Sequence, residues 1–347
     1  MSADRLEEFR SRILERKPLR LRGGGSKDFY GGPLSGEVLD TGGHRGVVSY
    51  EPTELVITAR CGTPLAELES TLAEHRQFLA CEAPNFGCAT VGGAVAAGLS
   101  GPRRAMVGSL RDFVLGVKIM DGEGRVLRFG GEVMKNVAGF DVSRLLAGSL
   151  GTLGLIVEVS LKVLPLSVAE ATLRFDLPQD KALEQMNRWA GRPLPVSATC
   201  WHDDVLTVRL SGAKAAVDAA CATLGGAAMD AVEAASFWSS LREQTHPFFA
   251  GDADLWRLSL PSSTPALDTN GPPLIEWGGA QRWVRGAGNA RAAATQGSGH
   301  ATLFRGQDKN ESVFQPLDPV QARIQRDIKR AFDPHGIFNP GRLYPDI

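Results

Sequence analysis

Glycine placement constrains this chain more than any other feature. A short run, Pro18-Leu19-Arg20-Leu21, leads directly into Arg22-Gly23-Gly24-Gly25-Ser26-Lys27. A strand that ends in three glycines presents bare backbone N–H groups. Lacking Cβ atoms, such residues reach φ > 0 and let a ligand come close to the main chain. Successive amides turned into one concavity form an anion nest suited to a phosphate or diphosphate. On its own, a structural glycine-rich turn explains the run equally well.

Two familiar nucleotide motifs are excluded. There is no Gly-x-x-x-x-Gly-Lys-Ser/Thr run, so an NTP-binding P-loop is ruled out. A dinucleotide fingerprint needs Gly-x-Gly-x-x-Gly opening a helix. Here Gly25 is followed by Ser26-Lys27-Asp28-Phe29-Tyr30-Gly31-Gly32-Pro33, which reads as loop. Three more glycine-rich blocks follow. The second runs from Pro84-Asn85-Phe86-Gly87 through Thr90-Val91-Gly92-Gly93 to Gly98, then Gly101-Pro102-Arg103-Arg104 and Gly108-Ser109-Leu110-Arg111-Asp112. The third joins Asn136-Val137-Ala138-Gly139-Phe140-Asp141 to Gly148-Ser149-Leu150-Gly151-Thr152-Leu153-Gly154-Leu155-Ile156, and the last is Phe332-Asp333-Pro334-His335-Gly336-Ile337-Phe338-Asn339-Pro340-Gly341-Arg342.

In this order and spacing the four blocks resemble the FAD-binding fold of the vanillyl-alcohol oxidase and p-cresol methylhydroxylase class, over nearly the whole chain. Within that class, Trp277-Gly278-Gly279-Ala280-Gln281-Arg282-Trp283 and Gly130-Gly131-Glu132-Val133-Met134-Lys135-Asn136-Val137-Ala138-Gly139 resemble the FAD-binding E subunits of bacterial glycolate oxidases. The resemblance implies an α+β protein: a two-subdomain FAD-binding domain over 1–166, an α+β cap over 167–318, and a C-terminal helix and tail, 319–347, returning to the FAD domain. It also implies that Gly23, Gly24, Gly25, Ser26 and Lys27 cradle the FAD diphosphate. Pro84, Thr90, Gly92, Gly93, Gly98, Gly108, Ser109, Asp112, Gly151, Ile156 and Asn339 would meet the rest of the cofactor. For any single glycine in that set, tight strand–helix packing is the competing explanation.

Composition narrows the partners. With 347 residues the chain exceeds a typical single domain, and 43% hydrophobic residues support a large core. A net charge of −1 gives no global basic field for nucleic acid or anionic lipid. The five cysteines, Cys61, Cys81, Cys88, Cys200 and Cys221, contain no Cys-x-x-Cys pair, which fits neither a disulfide framework nor a zinc or iron–sulfur site. The charged start Met1-Ser2-Ala3-Asp4-Arg5 lacks the apolar core of a signal peptide, and no apolar run approaches the ~20 residues of a membrane span. A cytoplasmic protein without direct membrane insertion is expected.

Periodicity places the elements. Glu7–Arg16 reads as an amphipathic helix. Thr63 reads as N-cap, with Pro64 at N1, of a helix carrying Leu65, Leu68 and Leu72 on one face. Phe113–Met120 and Val126–Phe129 read as a hairpin, and Leu155–Val163 as a half-buried strand with Leu155, Val157, Val159, Leu161 and Val163 on its buried face and Glu158, Ser160 and Lys162 on its polar face. Beyond Leu166 the pattern changes to strand, helix, hairpin (Val196–Trp201 with Val205–Leu210) and alanine-rich helix. Pro319–Phe332 reads as the final helix.

The chain departs from its apparent relatives in two places. Many tether FAD through a histidine just after the glycines. Ser26 occupies that place here and His44 lies outside the motif, so noncovalent FAD is expected. Relatives that oxidise 2-hydroxy acids carry a His-x-Gly-Asp-Gly-Asn-like cap motif. The nearest segment here, Gln296-Gly297-Ser298-Gly299-His300-Ala301-Thr302, keeps the histidine and loses Asp-Gly-Asn. His300 is then either the hydroxyl-proton base or a structural histidine. Arg282 or Arg305 is either a carboxylate anchor or an ordinary arginine. The resemblance implies a subunit of a multi-subunit enzyme oxidising glycolate to glyoxylate. Its expected partners are a second flavoprotein subunit with the full motif and an iron–sulfur subunit. A flavin-binding relay or structural subunit and a stand-alone 2-hydroxy-acid dehydrogenase remain open alternatives.

Overall fold

The alternating stretch after the third glycine block becomes the middle of a sheet. In the computed structural model, which describes residues 2–131, 140–269, 271–286, 288–307, 309 and 312–347, Leu155–Lys162 is the central strand of five antiparallel ones. The order across the sheet is Val47–Glu51, Val56–Arg60, Leu155–Lys162, Val114–Met120 and Val126–Gly130. The strand expected to be half-buried is covered on both faces. Ser160, on the face read as polar, is buried and shares a 2.8 Å hydrogen bond with Thr58. Alternation of small polar and apolar residues does not separate a solvated face from one whose hydroxyls are satisfied internally.

The chain forms two compact units. The first contains residues 1–99, 109–165 and 309–347, and the second 100–108 and 166–308. In the first, Leu19–Arg22 pairs in parallel with Glu37–Asp40, and Phe338 bridges Leu19 on the other side. The helix Ser2–Leu14 buries Phe9 and Ile13 completely against Leu19, Leu39, Met120, Leu155, Val157 and Phe338. Leu65–Glu74 buries Leu65, Leu68 and Leu72 as the spacing foretold. Its cap differs: Pro64 holds the N-cap position and Thr63 does not cap. The Thr63 hydroxyl instead donates to the Arg60 carbonyl at 2.7 Å and accepts from the Gly46 amide at 2.9 Å, joining two loops.

The second unit is built on an eight-stranded antiparallel sheet. Its order is Ala227–Ala228, Ala169–Asp176, Val205–Gly212, Val196–His202, Leu274–Glu276, Gln281–Arg285, Leu255–Ser259 and His300–Arg305. Helices Gln179–Ala190 and Lys214–Leu224 cover one part, packing Leu183, Met186, Trp189 and Val217 on Leu173, Trp201, Leu206 and Val208. The alanine-rich stretch is interrupted: Gly225-Gly226 ends one helix, and Asp230 caps a second, Ala231–Arg242.

The final helix, Pro319–Phe332, runs over the expected residues, and Asp318 caps it by accepting from the Val320 and Gln321 amides. Its end carries a buried ion pair. Lys329 Nζ donates to Asp333 at 2.7 Å, to the Thr152 carbonyl at 2.7 Å and to the Phe338 carbonyl at 3.0 Å. Asp333 also accepts from the Ile337 and Phe338 amides. All three ammonium protons are used, which is what makes a buried lysine tolerable. Burial lowers its pKa, opposed by Asp333. Replacing Lys329 with Met leaves Asp333 buried without its counter-ion, and we expect a loss of about 3–5 kcal/mol in urea unfolding.

Burial holds the imidazoles of both His44 and His246 below the ordinary pKa of 6.5. The unfolded chain therefore binds more protons than the folded one as pH drops through 6.5, and stability falls with it. The expected outcome is a lower urea midpoint at about pH 5.5 than at about pH 7.5, on either side of that transition. An unchanged or higher midpoint on the acid side contradicts it.

Candidate functional site

The glycine run does what its composition allows. Leu19–Arg22 ends at Gly23, and the chain turns through Gly24, Gly25 and Ser26, with the Asp28 amide closing back on the Gly25 carbonyl at 3.1 Å. A Cβ on Gly24 would lie 1.5 Å from the Cys88 carbonyl oxygen, and one on Gly23 would lie 2.2 Å from the Thr90 hydroxyl. Only glycine permits that approach. Cys88 Sγ donates to the Gly24 carbonyl at 3.0 Å, which fixes the contact. Arg20 and Arg22 both pair with Asp28, the latter at 3.1 Å, so their charge is tied beside the turn.

Around this turn lies a cleft within the first unit. Gly23, Gly24, Gly25, Ser26 and Lys27 form one side; Thr90, Gly92 and Gly93 form another, and Gly151, Ile156 and Asn339 complete it. Thr90 caps the helix Val91–Ala97, accepting from the Gly93 amide at 3.3 Å, so the N-terminal turn of that helix belongs to the cleft wall. Gly92 packs on Cys61, where a Cβ would come within 2.6 Å of the Cys61 Cβ. Burial pushes the Cys61 thiol up to about 12, so it lines the cleft as a neutral, unreactive group.

Other expected residues have structural tasks. Asn339 lines the cleft, yet its amide is spent on the scaffold: Oδ1 accepts from the Leu21 amide at 2.8 Å and Nδ2 donates to the Leu150 carbonyl at 2.6 Å. Ser109 and Asp112 form a capping box on Leu110–Phe113, with the Ser109 amide and hydroxyl each 2.8 Å from Asp112. Gly98 ends Val91–Ala97 in the left-handed region. Pro84, Gly98, Ser109 and Asp112 do not line the cleft, and Gly108 belongs to the second unit. Glu132–Gly139, including the start of the third block, lies outside the described residues.

Sequence reasoning missed Thr41, Cys61, Ala96, Ala97 and Arg342 as cleft residues. Arg342 had a signal, since it directly follows the quoted Asn339-Pro340-Gly341. It is buried, donates to the Tyr30 and Gly32 carbonyls, and thereby braces the loop after the glycines. Burial lowers its pKa to about 10.

In the second unit, His300 is exposed at the start of His300–Arg305, opposite Ser259. Partial burial of its ring and then Arg257 lower its pKa, and no carboxylate among the described residues contributes. Arg282 is no anchor. It is 1% exposed and donates to the Gly279, Pro265 and Thr264 carbonyls, fastening the loop before Leu274. Arg305 is half-buried over the Phe304 ring at 5.6 Å. Among the described residues no group of three or more metal-ligating side chains is gathered, and no helix is long and apolar enough to cross a membrane.

Comparison with known proteins agrees with this geometry. Residues 11–130 match the FAD binding domain family and residues 288–343 the FAD linked oxidases, C-terminal domain. The chain is 46% identical over 346 residues, 99% of its length and 97% of the other, to glycolate oxidase subunit GlcE of Escherichia coli. Glycolate oxidase subunit GlcD of Bacillus subtilis is 29% identical over 171 residues, 47% of this chain and 36% of that one. A solved structure of alkyldihydroxyacetonephosphate synthase superposes with a TM-score of 0.69 at 15% identity, covering 96% of this chain and 73% of that chain, which speaks to fold alone. Identity at the level of the Escherichia coli protein, across essentially the full length of both sequences, shows that the chain belongs to the glycolate oxidase subunit GlcE family of FAD-linked oxidoreductases.

Proposed function

We propose that the first unit binds one FAD noncovalently and that the chain serves as the FAD-binding subunit of a glycolate oxidase complex oxidising glycolate to glyoxylate. The observation that carries this reading is the glycine turn, whose approach to Cys88 and Thr90 leaves no space for a Cβ. In this reading residues 1–166 and the tail 319–347 are the FAD-binding part and 167–318 the cap.

The residues fit the cofactor. The amides of Gly24, Gly25 and Ser26 donate to no acceptor among the described residues and are available to diphosphate oxygens, with the Ser26 hydroxyl and Lys27 beside them. Small residues at Gly92, Gly93, Ala96 and Gly151 let an aromatic ring system lie against backbone. When bound, FAD supplies the two-electron acceptor for the substrate C–H bond. Noncovalent attachment is supported by Ser26 at the tether position and by His44, which does not line the cleft.

The cap supports a division of labour. Burial of the His300 ring and then Arg257 disfavour the imidazolium a general base must become, and no carboxylate among the described residues offsets them. We assign the hydroxyl chemistry to a GlcD-type flavoprotein partner and onward electron flow to an iron–sulfur subunit, with any inner-membrane association arising through partners.

Acid precipitation of the purified chain should release its yellow chromophore into the supernatant. A chromophore that stays with the pellet overturns noncovalent binding. Gly24→Ala, which drives a methyl into the Cys88 carbonyl, should abolish FAD content while circular dichroism reports a folded protein. Anaerobic glycolate should bleach the flavin in the assembled complex and leave the isolated chain oxidised; rapid bleaching of the isolated chain establishes a stand-alone dehydrogenase instead. Loss of a true general base costs about 10²–10⁴-fold, so His300→Ala should reduce complex turnover by less than about tenfold with FAD content unchanged.

A further inference from the structure

Two cations grip the loop that follows the glycine turn. Lys309 Nζ donates to the Phe29 carbonyl and, at 3.1 Å, to that of Gly31. Arg342 takes the alternate carbonyls, donating from Nη2 to Tyr30 and from Nη1 to Gly32, with a longer contact of 3.4 Å from Nη2 to the Asp28 carbonyl. Among the described residues neither cation has a carboxylate within ion-pair distance, and the Asp28 side chain is held by Arg20 and Arg22. After burial, the charge of Arg342 further lowers the pKa of Lys309, so the two repel each other across the loop.

Arg342 is 6% exposed, and a buried charge is ordinarily paired with an opposite one. Backbone carbonyls alone can hold a guanidinium, as they do for Arg282. What sets Arg342 apart is its place in the cleft lining. Of the charged side chains there, Arg22, Lys27 and Arg342 stand against one carboxylate, Asp28, so positive charge is in excess. A guanidinium has five N–H groups. The carbonyl contacts use at most three of them, leaving Nε and one Nη1 proton without an acceptor among the described residues. Nε remains open to solvent rather than sealed in the interior.

We propose that Arg342 supplies positive charge to the FAD diphosphate, and that its fork on Tyr30 and Gly32 holds the guanidinium at the cleft wall for that purpose. The inference rests on the FAD reading above and adds a charged residue to it. The amides of the glycine turn donate hydrogen bonds but carry no net charge. A guanidinium does both, and its planar fork matches phosphate oxygens. Arg22, the other arginine of the lining, already pairs with Asp28. A bound diphosphate also relieves the repulsion between Arg342 and Lys309, which favours the charged form of each.

The test titrates FAD into the deflavinated full-length protein, reading flavin fluorescence at low and at high salt, with circular dichroism confirming the fold of each variant. Arg342→Gln should weaken FAD binding by about tenfold or more, the worth of one charged hydrogen bond. Salt screens an attraction between charges, so the affinity of the unmodified protein should fall by about threefold or more from low to high salt. Arg342→Gln should flatten that dependence, and Arg342→Lys, which keeps the charge, should restore it. A residue that only braces the loop would weaken binding without altering the salt dependence, and that result overturns the proposal. Undiminished affinity in Arg342→Gln overturns it too. Salt-independent binding by the unmodified protein does so even where Arg342→Gln fails to fold. An unmodified protein that binds no FAD brings down the cofactor reading itself, whereas FAD binding indifferent to Arg342 sinks this inference alone.

Discussion

Two stretches of backbone touch in the first unit where no side chain fits, and the cleft takes its form from that contact. Gly24 meets the Cys88 carbonyl and Gly23 meets Thr90, so the turn and the approach to Val91–Ala97 are locked to each other. The lock leaves the amides of Gly24, Gly25 and Ser26 without an acceptor among the described residues, with the first turn of a helix in the same cleft wall. Side-chain charge plays a smaller part, because Asp28 holds both Arg20 and Arg22. In the proposed reading, a site made from such amide dipoles needs little reorganisation when a diphosphate arrives, and its specificity depends on the position of the backbone.

That position is maintained from far along the chain. Asn339 bonds Leu21 on one side and Leu150 on the other, so a single amide spans the strand entering the glycines and the loop facing them. Leu150 and Asn339 both sit at positive φ, at 50° and 41°, conformations that non-glycine residues keep only when surrounding bonds hold them. Arg342 fastens the loop after Lys27, and the Lys329–Asp333 pair fixes the start of the whole segment. The C-terminal tail is thus a structural part of the cleft even though it contributes few free polar groups to it.

These roles explain what the sequence disclosed. Glycine blocks are legible because the need for a missing Cβ leaves a direct trace, and helices such as Leu65–Glu74 are legible because burial imposes a period. The bracing residues were not legible as such. Asn339, Ser109 and Asp112 look like ligand groups in a motif, yet their polar atoms are consumed by backbone or by each other. Nothing local distinguishes an amide that braces from one that binds; only the partner's position does. The same limit misread Thr63 as a cap and Ser160 as solvent-facing, since both hydroxyls found acceptors or donors distant in sequence.

The second unit bears on the chemistry through what surrounds its histidine. A base that removes a hydroxyl proton must be comfortable as a cation in the step that follows. At His300, partial burial of the ring and then the charge of Arg257 lower the imidazole's affinity for that proton. The sheet does hold a buried carboxylate, Glu276, two strands away from Leu255–Ser259. That group already accepts from Gln281 at 3.0 Å and from Trp283 at 2.8 Å. It serves to satisfy an indole and an amide inside the sheet. In the proposed reading, a cap arranged this way keeps the architecture of an oxidase while placing no acidic partner, among the described residues, beside its histidine. That combination suits the proposed role, in which another chain performs proton abstraction.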